Sequence, residues 1–165
     1  MEGGAILERL RARFGDRIGS VHDDRGDATA VVDRAAILDI LAFCRNDAAL
    51  GFEMLMDLTA VDYGKFPGRE DGPRFEVVYH LYSLTHNHRV RLKVIVEEDA
   101  PVVPTAVPLW PIANWFEREV WDMFGIRFEG HPDLRRLLMY EEFQGYPLRK
   151  DYPINKRQPL IGPKV

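Results

Sequence analysis

The sequence predicts an α+β fold: a small, mostly antiparallel or mixed sheet with helices on one face, followed by a motif helix and an extended C-terminal tail. Three observations carry this. Apolar residues recur three or four apart over Ala5–Phe14 and again over Ala35–Ala48, as amphipathic helices require. From 89 to 96 the pattern switches to strict alternation, with Val90, Leu92, Val94 and Val96 on one side and Arg89, Arg91, Lys93 and Ile95 on the other, the mark of a half-buried antiparallel strand. Prolines at 101, 104, 108 and 111 then interrupt both patterns before one last helical stretch.

The elements follow in order. The first helix carries Arg9, Arg11 and Arg13, yet Glu2 and Glu8 are unlike an organelle transit peptide, which avoids acids. "SVHDDRGDATAVVD" reads as a hairpin turning at Asp-Asp-Arg-Gly. The second helix places Cys44 near Ile40 and Leu41, where a thiol serves as small core filler. Strand patterning runs from Met54 to Tyr63, and "GKFPGREDGPR" is a loop. "FEVVYHLYSL" is apolar on both faces and belongs in the middle of the sheet; "THNH" turns it into "RVRLKVIVE". Each proline of the next stretch removes a backbone donor and fixes φ, which suits a connector. The chain thus divides into an α+β domain over residues 1–100, a proline-rich connector over 101–111, and a motif helix with an extended docking segment over 112–165.

Composition narrows the function classes. With 165 residues, 46% apolar and 29% charged, and a net charge of −4, one folded domain with a real core is expected. No run approaches the roughly 20 apolar residues of a membrane helix, and the start lacks the apolar core of a secretory signal, so a cytoplasmic setting is the default. A single cysteine cannot by itself hold an iron–sulfur cluster, a cysteine-rich zinc site or an internal disulfide. Residues 131–165 hold seven Lys+Arg against four Asp+Glu, leaving the rest of the chain acidic. A basic tail on an acidic body suits a tail that meets an acidic partner, or simply a solvated terminus.

The richest stretch is "EREVWDMFGIRFEGHPDLRRLL", residues 117–138. Helical patterning covers Trp115–Phe124 and stops at Gly125. On a wheel, Phe116, Val120, Trp121, Met123 and Phe124 form one apolar face with Glu117 at its centre. Arg118, Glu119 and Asp122 lie opposite, around Trp115, whose setting among charges resembles an interface anchor. Glu117 needs a partner or must neutralise. An N-cap at Asn114 would place Glu117 at the third helical position of a capping pair; a buried ion pair is the other structural reading, and a catalytic acid of raised pKa the functional one. The structural readings outweigh the last, because no nucleophile or second carboxylate stands nearby in sequence.

Other chemistries fare less well. His131 with Asp133, and the pair in "HNH" at 86–88, offer metal ligands that nothing in the sequence ties together. Neither phosphate-binding glycine motif is present. Arg89, Arg91 and Lys93 on one strand face, with Arg135, Arg136, Arg149, Lys150, Lys156 and Arg157 in the tail, suggest a nucleic-acid-binding module; the acidic net charge weighs against it.

The signature stretch, followed by "FQGYPLRKDYP", resembles the thirty-kilodalton subunit family of respiratory complex I, the NADH:quinone oxidoreductase. Glu117-Arg118-Glu119, Asp122, Gly125-Ile126, Gly130-His131-Pro132, Arg135 to Leu138 and Pro147 to Asp151 carry the resemblance. It implies a scaffold subunit of the peripheral, cytoplasm-facing arm of a proton-translocating enzyme of the inner (plasma) membrane, with no catalytic residue, metal or redox group in this chain. NADH, flavin, iron–sulfur clusters and quinone would belong to partner subunits. The quinone-site subunit is the foremost expected partner, with neighbouring iron–sulfur subunits; membrane association would be indirect and nucleic acid no partner. The expected subunit interface comprises Trp115, Glu117, Arg118, Glu119, Asp122, His131, Asp133, Arg135, Arg136, Arg149, Lys150 and Asp151. Related subunits of membrane-bound nickel–iron hydrogenases and other quinone-linked dehydrogenases carry similar motifs, and form the alternative.

Overall fold

The computed structural model describes residues 2–69 and 72–162. Among the described residues three α-helices and seven strands follow one another as α1 (Gly3–Phe14), β1 (Ile18–His22), β2 (Thr29–Val32), α2 (Ile37–Asn46), β3 (Met54–Asp62), β4 (Phe75–Ser83), β5 (His88–Val96), β6 (Val102–Pro104), α3 (Ala113–Phe124) and β7 (Arg127–Glu129). Five strands form one mixed sheet in the order β1-β2-β5-β4-β3. Only β2 and β5 run parallel within it; the other pairs are antiparallel. The α+β expectation holds, and β4 lies inside the sheet as its two apolar faces require.

Register explains the core. Phe75, Val77, Tyr79 and Leu81 of β4 stand opposite Val96, Val94, Leu92 and Val90 of β5, so all eight side chains share one face. That face merges with Ile6 and Leu10 of α1 and Ile37, Ile40 and Leu41 of α2 in a single apolar cluster. Cys44 is fully buried there, and burial pushes its thiol pKa up, so it packs as a small apolar group. The predicted hairpin turns at Arg25 and Gly26, both at positive φ.

Two expectations change. The proline-rich stretch is more than a connector: Val102–Pro104 pairs in parallel with Arg127–Glu129, and Val103 and Phe128 face each other in the core. Pro104 sits at the end of this short ladder, where a missing donor matters least. The motif helix begins earlier than Trp115, at Ala113, with Ile112 as the N-cap position and no side-chain cap. Asn114 is therefore inside the helix, and the capping pair with Glu117 does not form.

The stop at Gly125 is as expected. Its φ is 75°, and its N–H donates to Trp121 O at 2.8 Å. A Cβ there would lie 2.5 Å from the Tyr146 ring, so the position requires glycine on two counts. Gly125→Ala is expected to cost about 1–3 kcal/mol, combining left-handed strain with displacement of Tyr146. A urea titration would show this as a lower midpoint at unchanged slope.

Candidate docking corner

After β7 the chain continues to residue 162 with no further helix or strand among the described residues. A segment of that kind needs other partners for its backbone groups. Asp122 supplies several. It is fully buried, and its Oδ2 accepts from the N–H groups of Leu137, Leu138 and Met139 at 3.0, 2.8 and 2.9 Å. Its Oδ1 accepts from Arg136 Nη1 at 2.7 Å. Burial alone would raise its pKa; the Met139 N–H, Arg136 and the Leu138 and Leu137 N–H groups outweigh that and hold it below the usual carboxylate range.

Arg136 extends the network. Its Nη2 donates to Phe143 O at 2.8 Å and to Gly145 O at 3.3 Å, and its guanidinium lies 5.5 Å from the Phe143 ring and 5.9 Å from the rings of Trp121 and Tyr146. Arg118 is also buried. It donates to the carbonyls of Arg135 and Arg136 at 3.3 and 3.2 Å while lying 5.1 Å from the Trp115 ring. Arg118 and Asp122, four residues apart on the helix, thus make separate contacts to the tail.

Further along, the tail is fastened to the sheet. Arg149 Nε donates to Phe124 O at 2.5 Å, and its guanidinium lies near the rings of Tyr146 and Phe75. Lys150 N–H donates to Asp62 Oδ2 at 2.8 Å. Arg74 bridges Asp62 at 3.0 Å and Asp151 at 2.7 Å, and pairs with Glu98 as well. Burial works against the Asp62 charge, but Arg74 and the Lys150 and Gly64 N–H groups keep its pKa lowered. His131, Asp133 and Arg135 form a local turn: His131 Nε2 lies 3.1 Å from Asn114 O, its Nδ1 accepts the Asp133 N–H, and Arg135 Nε donates to Asp133 at 2.8 Å.

Glu117 is fully buried beside this network but separate from it. Its two oxygens accept from Ala106 N–H at 2.6 Å and Thr105 Oγ1 at 2.5 Å. No cation faces it among the described residues. Burial raises its pKa to about 7, only partly offset by the Thr105 and Ala106 hydrogen bonds. Neither the cap nor the buried ion pair is formed; the proline-rich stretch supplies the partners instead.

The corner therefore has an inside and an outside. Glu117, Arg118, Asp122, Arg136 and Arg149 hold the chain to itself. Trp115 is 55% exposed, Leu138 56% and Ile112 46%, and Glu119 and Arg135 are exposed beside them. These exposed side chains combine apolar groups with charges of both signs. Residues missed at the sequence level, Asp62, Arg74, Thr105 and Tyr146, lie far along the chain from the motif helix or outside its pattern, and no local spacing marks them.

Several side chains of the other candidate sites have partners within the chain. His86 and His88 each turn Nε2 to a backbone carbonyl, of Ala48 at 3.0 Å and Leu50 at 2.6 Å. Among the described residues no group of three or more His, Cys, Asp or Glu gathers to hold a metal. Lys93 pairs with Glu76 at 3.0 Å and Arg91 with Asp27 at 3.4 Å, so two of the three strand cations already have acidic partners. No described helix is long and apolar enough to cross a membrane.

Comparison with known proteins gives these contacts a family. The model for "Respiratory-chain NADH dehydrogenase, 30 Kd subunit" matches residues 30–158. An NADH-quinone oxidoreductase subunit of Acidithiobacillus ferrooxidans is 44% identical over 153 residues, spanning 90% of this chain and 76% of its own. The subunit of the same name from Roseiflexus is 48% identical over 158 residues, spanning 96% and 88%. Among solved structures, a trypsin-resistant fragment of Nqo5 superposes with a TM-score of 0.70 at 37% identity, over 81% of this chain and all of the fragment. A chain from the membrane-bound sulfane sulfur reductase, an archaeal respiratory membrane complex, shares the fold at a TM-score of 0.75 and 24% identity, over 93% of this chain and 86% of that one. On the extent of the family match and these identities, the chain belongs to the 30 Kd subunit family of the respiratory-chain NADH dehydrogenase.

Proposed function

We propose that the chain is a non-redox structural subunit in the peripheral arm of a proton-translocating NADH:quinone oxidoreductase, packed against its neighbours there, the quinone-site subunit foremost. The observation that carries this reading is the corner itself. Its buried charges act on the chain's own backbone and hold an otherwise irregular segment in place. That leaves Ile112, Trp115 and Leu138 outside, followed by Ile154 and Leu160, whose side chains meet no cover in the isolated chain. Such a surface suits permanent association, because a solvated monomer gains nothing from it. NADH, flavin, iron–sulfur clusters and quinone are then held by partner subunits, on the cytoplasmic side of the membrane, and this chain supplies no catalytic residue.

Affinity capture of the chain from membranes in mild detergent tests the reading. Flavin-containing NADH-oxidising subunits and a quinone-site subunit are expected to come with it. A nickel–iron subunit in their place would transfer the chain to the hydrogenase-like alternative, and recovery of the chain alone would overturn both. Within the complex, Trp115→Ala and Arg149→Ala are expected to lower the amount of assembled enzyme several-fold while leaving turnover per assembled complex intact. The first removes an interface anchor, the second a fastening of the tail that presents it. Normal assembly with abolished turnover would instead establish a direct catalytic role.

A further inference from the structure

The core cluster, with α1 and α2, lies on the sheet face that carries Tyr79 and Leu92. The opposite face carries Glu76, Val78, His80 and Tyr82 of β4, with Arg89, Arg91, Lys93 and Ile95 across from them on β5. Its two ends differ. Around Glu76 the face is closed by its own charges: Arg69 and Lys93 pair with that carboxylate at 2.9 and 3.0 Å, the Tyr63 hydroxyl donates to it at 3.2 Å, and Val78 beside it is 4% exposed. At the other end no such lid stands among the described residues. A groove of about 700 Å³ opens there, lined by Met54, Met56, His80, Tyr82, Leu84 and Arg89.

Apolar side chains stand open in it: Met54 is 42% exposed, Met56 50% and Leu84 67%. Met56 is presented by an irregularity in register between Leu55 and Asp57. The charges around the groove are incomplete as well. Arg91 pairs with Asp27, but neither Arg89 nor Asp57 has an ion pair among the described residues. An apolar floor with one unpaired cation and one unpaired anion calls for an occupant with an apolar stripe edged by the opposite charges.

We infer that this groove receives an amphipathic helix of a neighbouring subunit, its apolar stripe on Met54, Met56 and Leu84, a carboxylate toward Arg89 and a basic side chain toward Asp57. A helix fits the floor of the groove, where β4 is paired on both sides by β3 and β5 and leaves no free backbone edge for an added strand. A sheet face is ordinarily covered by such a layer. Methionines suit the contact, since their flexible thioethers adapt to a partner surface. The inference rests on the subunit role proposed above and adds a second surface, lined by residues other than those of the C-terminal corner.

Mild peroxide treatment followed by peptide mass spectrometry reads the groove without altering the chain. In the isolated full chain, Met54 and Met56 are expected to form sulfoxides readily while buried Met123 does not. In the captured complex, both should react at least roughly tenfold more slowly. A photoreactive residue at Leu84 should attach to a helical peptide of another subunit, and Arg89→Glu should reduce that attachment. A complete complex in which Met54 and Met56 stay fully reactive would overturn the groove proposal alone. Attachment to a second copy of this chain would do the same. A chain that captures no partner subunits would overturn the subunit role together with the groove.

Discussion

Asp122→Ala is expected to destabilise the chain by about 3–5 kcal/mol, the range for removing one partner of a buried charge pair. The substitution leaves Arg136, whose side chain is only 16% exposed, without its carboxylate. It also leaves the N–H groups of Leu137, Leu138 and Met139 without their acceptor at the point where the tail leaves its turn. Asp122→Asn should fall in between, since its amide oxygen still accepts but its amide nitrogen opposes Arg136. Urea denaturation gives the magnitude. Limited proteolysis gives the location, with cleavage between residues 133 and 152 appearing in the alanine variant before the sheet unfolds. A loss below about 1 kcal/mol would mean that Arg149 and the Arg74 bridges hold the tail without Asp122.

The same residue shows where sequence reading stops. The alternation in β5 and the doubly apolar β4 are legible because a sheet imposes its period on the chain, and both strands sit as their patterns require. The helical wheel likewise places Val120, Met123 and Phe124 inward. It puts Arg118 and Asp122 on the outward face, yet both are buried. A wheel registers only the helix's own period. What covers these two is an irregular segment, whose backbone N–H and C=O groups bond Asp122 and Arg118 directly and have no hydrophobic signature. For Trp115 and Glu119 the wheel is sufficient, because both stay exposed in the folded chain. The Arg74 bridge is out of reach for another reason: 77 positions separate Arg74 from Asp151, and only the folded sheet brings them together.

Glu117 gives an expected pH effect between about 4.5 and 7. Among the described residues its carboxyl is buried with two neutral donors and no cation, and the nearby Tyr79 hydroxyl, which feels its charge, has no hydrogen-bond partner. Burial raises its pKa from 4.5 to about 7, so the folded chain favours the protonated acid. Its contribution to stability is then complete below about pH 4.5, declines as pH rises, and is gone above about 7; linkage puts the total at about 3 kcal/mol. The lowered carboxyls of Asp62 and Asp122 act in the opposite sense, their contribution being lost as pH falls through the ordinary carboxylate value and below it, and the lowered imidazoles of His80 and His88 also act in the opposite sense, so the Glu117 effect is read from the difference between the wild type and a Gln variant. Glu117→Gln should keep the bond from Ala106 N–H while carrying no charge to bury. Its stability should match the wild type near pH 4.5 and exceed it at pH 8, with most of the divergence between those values. If urea midpoints of the two proteins instead run parallel from pH 5 to 8, Glu117 stays ionised when folded, and the Thr105 hydroxyl and Ala106 N–H suffice to hold a buried charge.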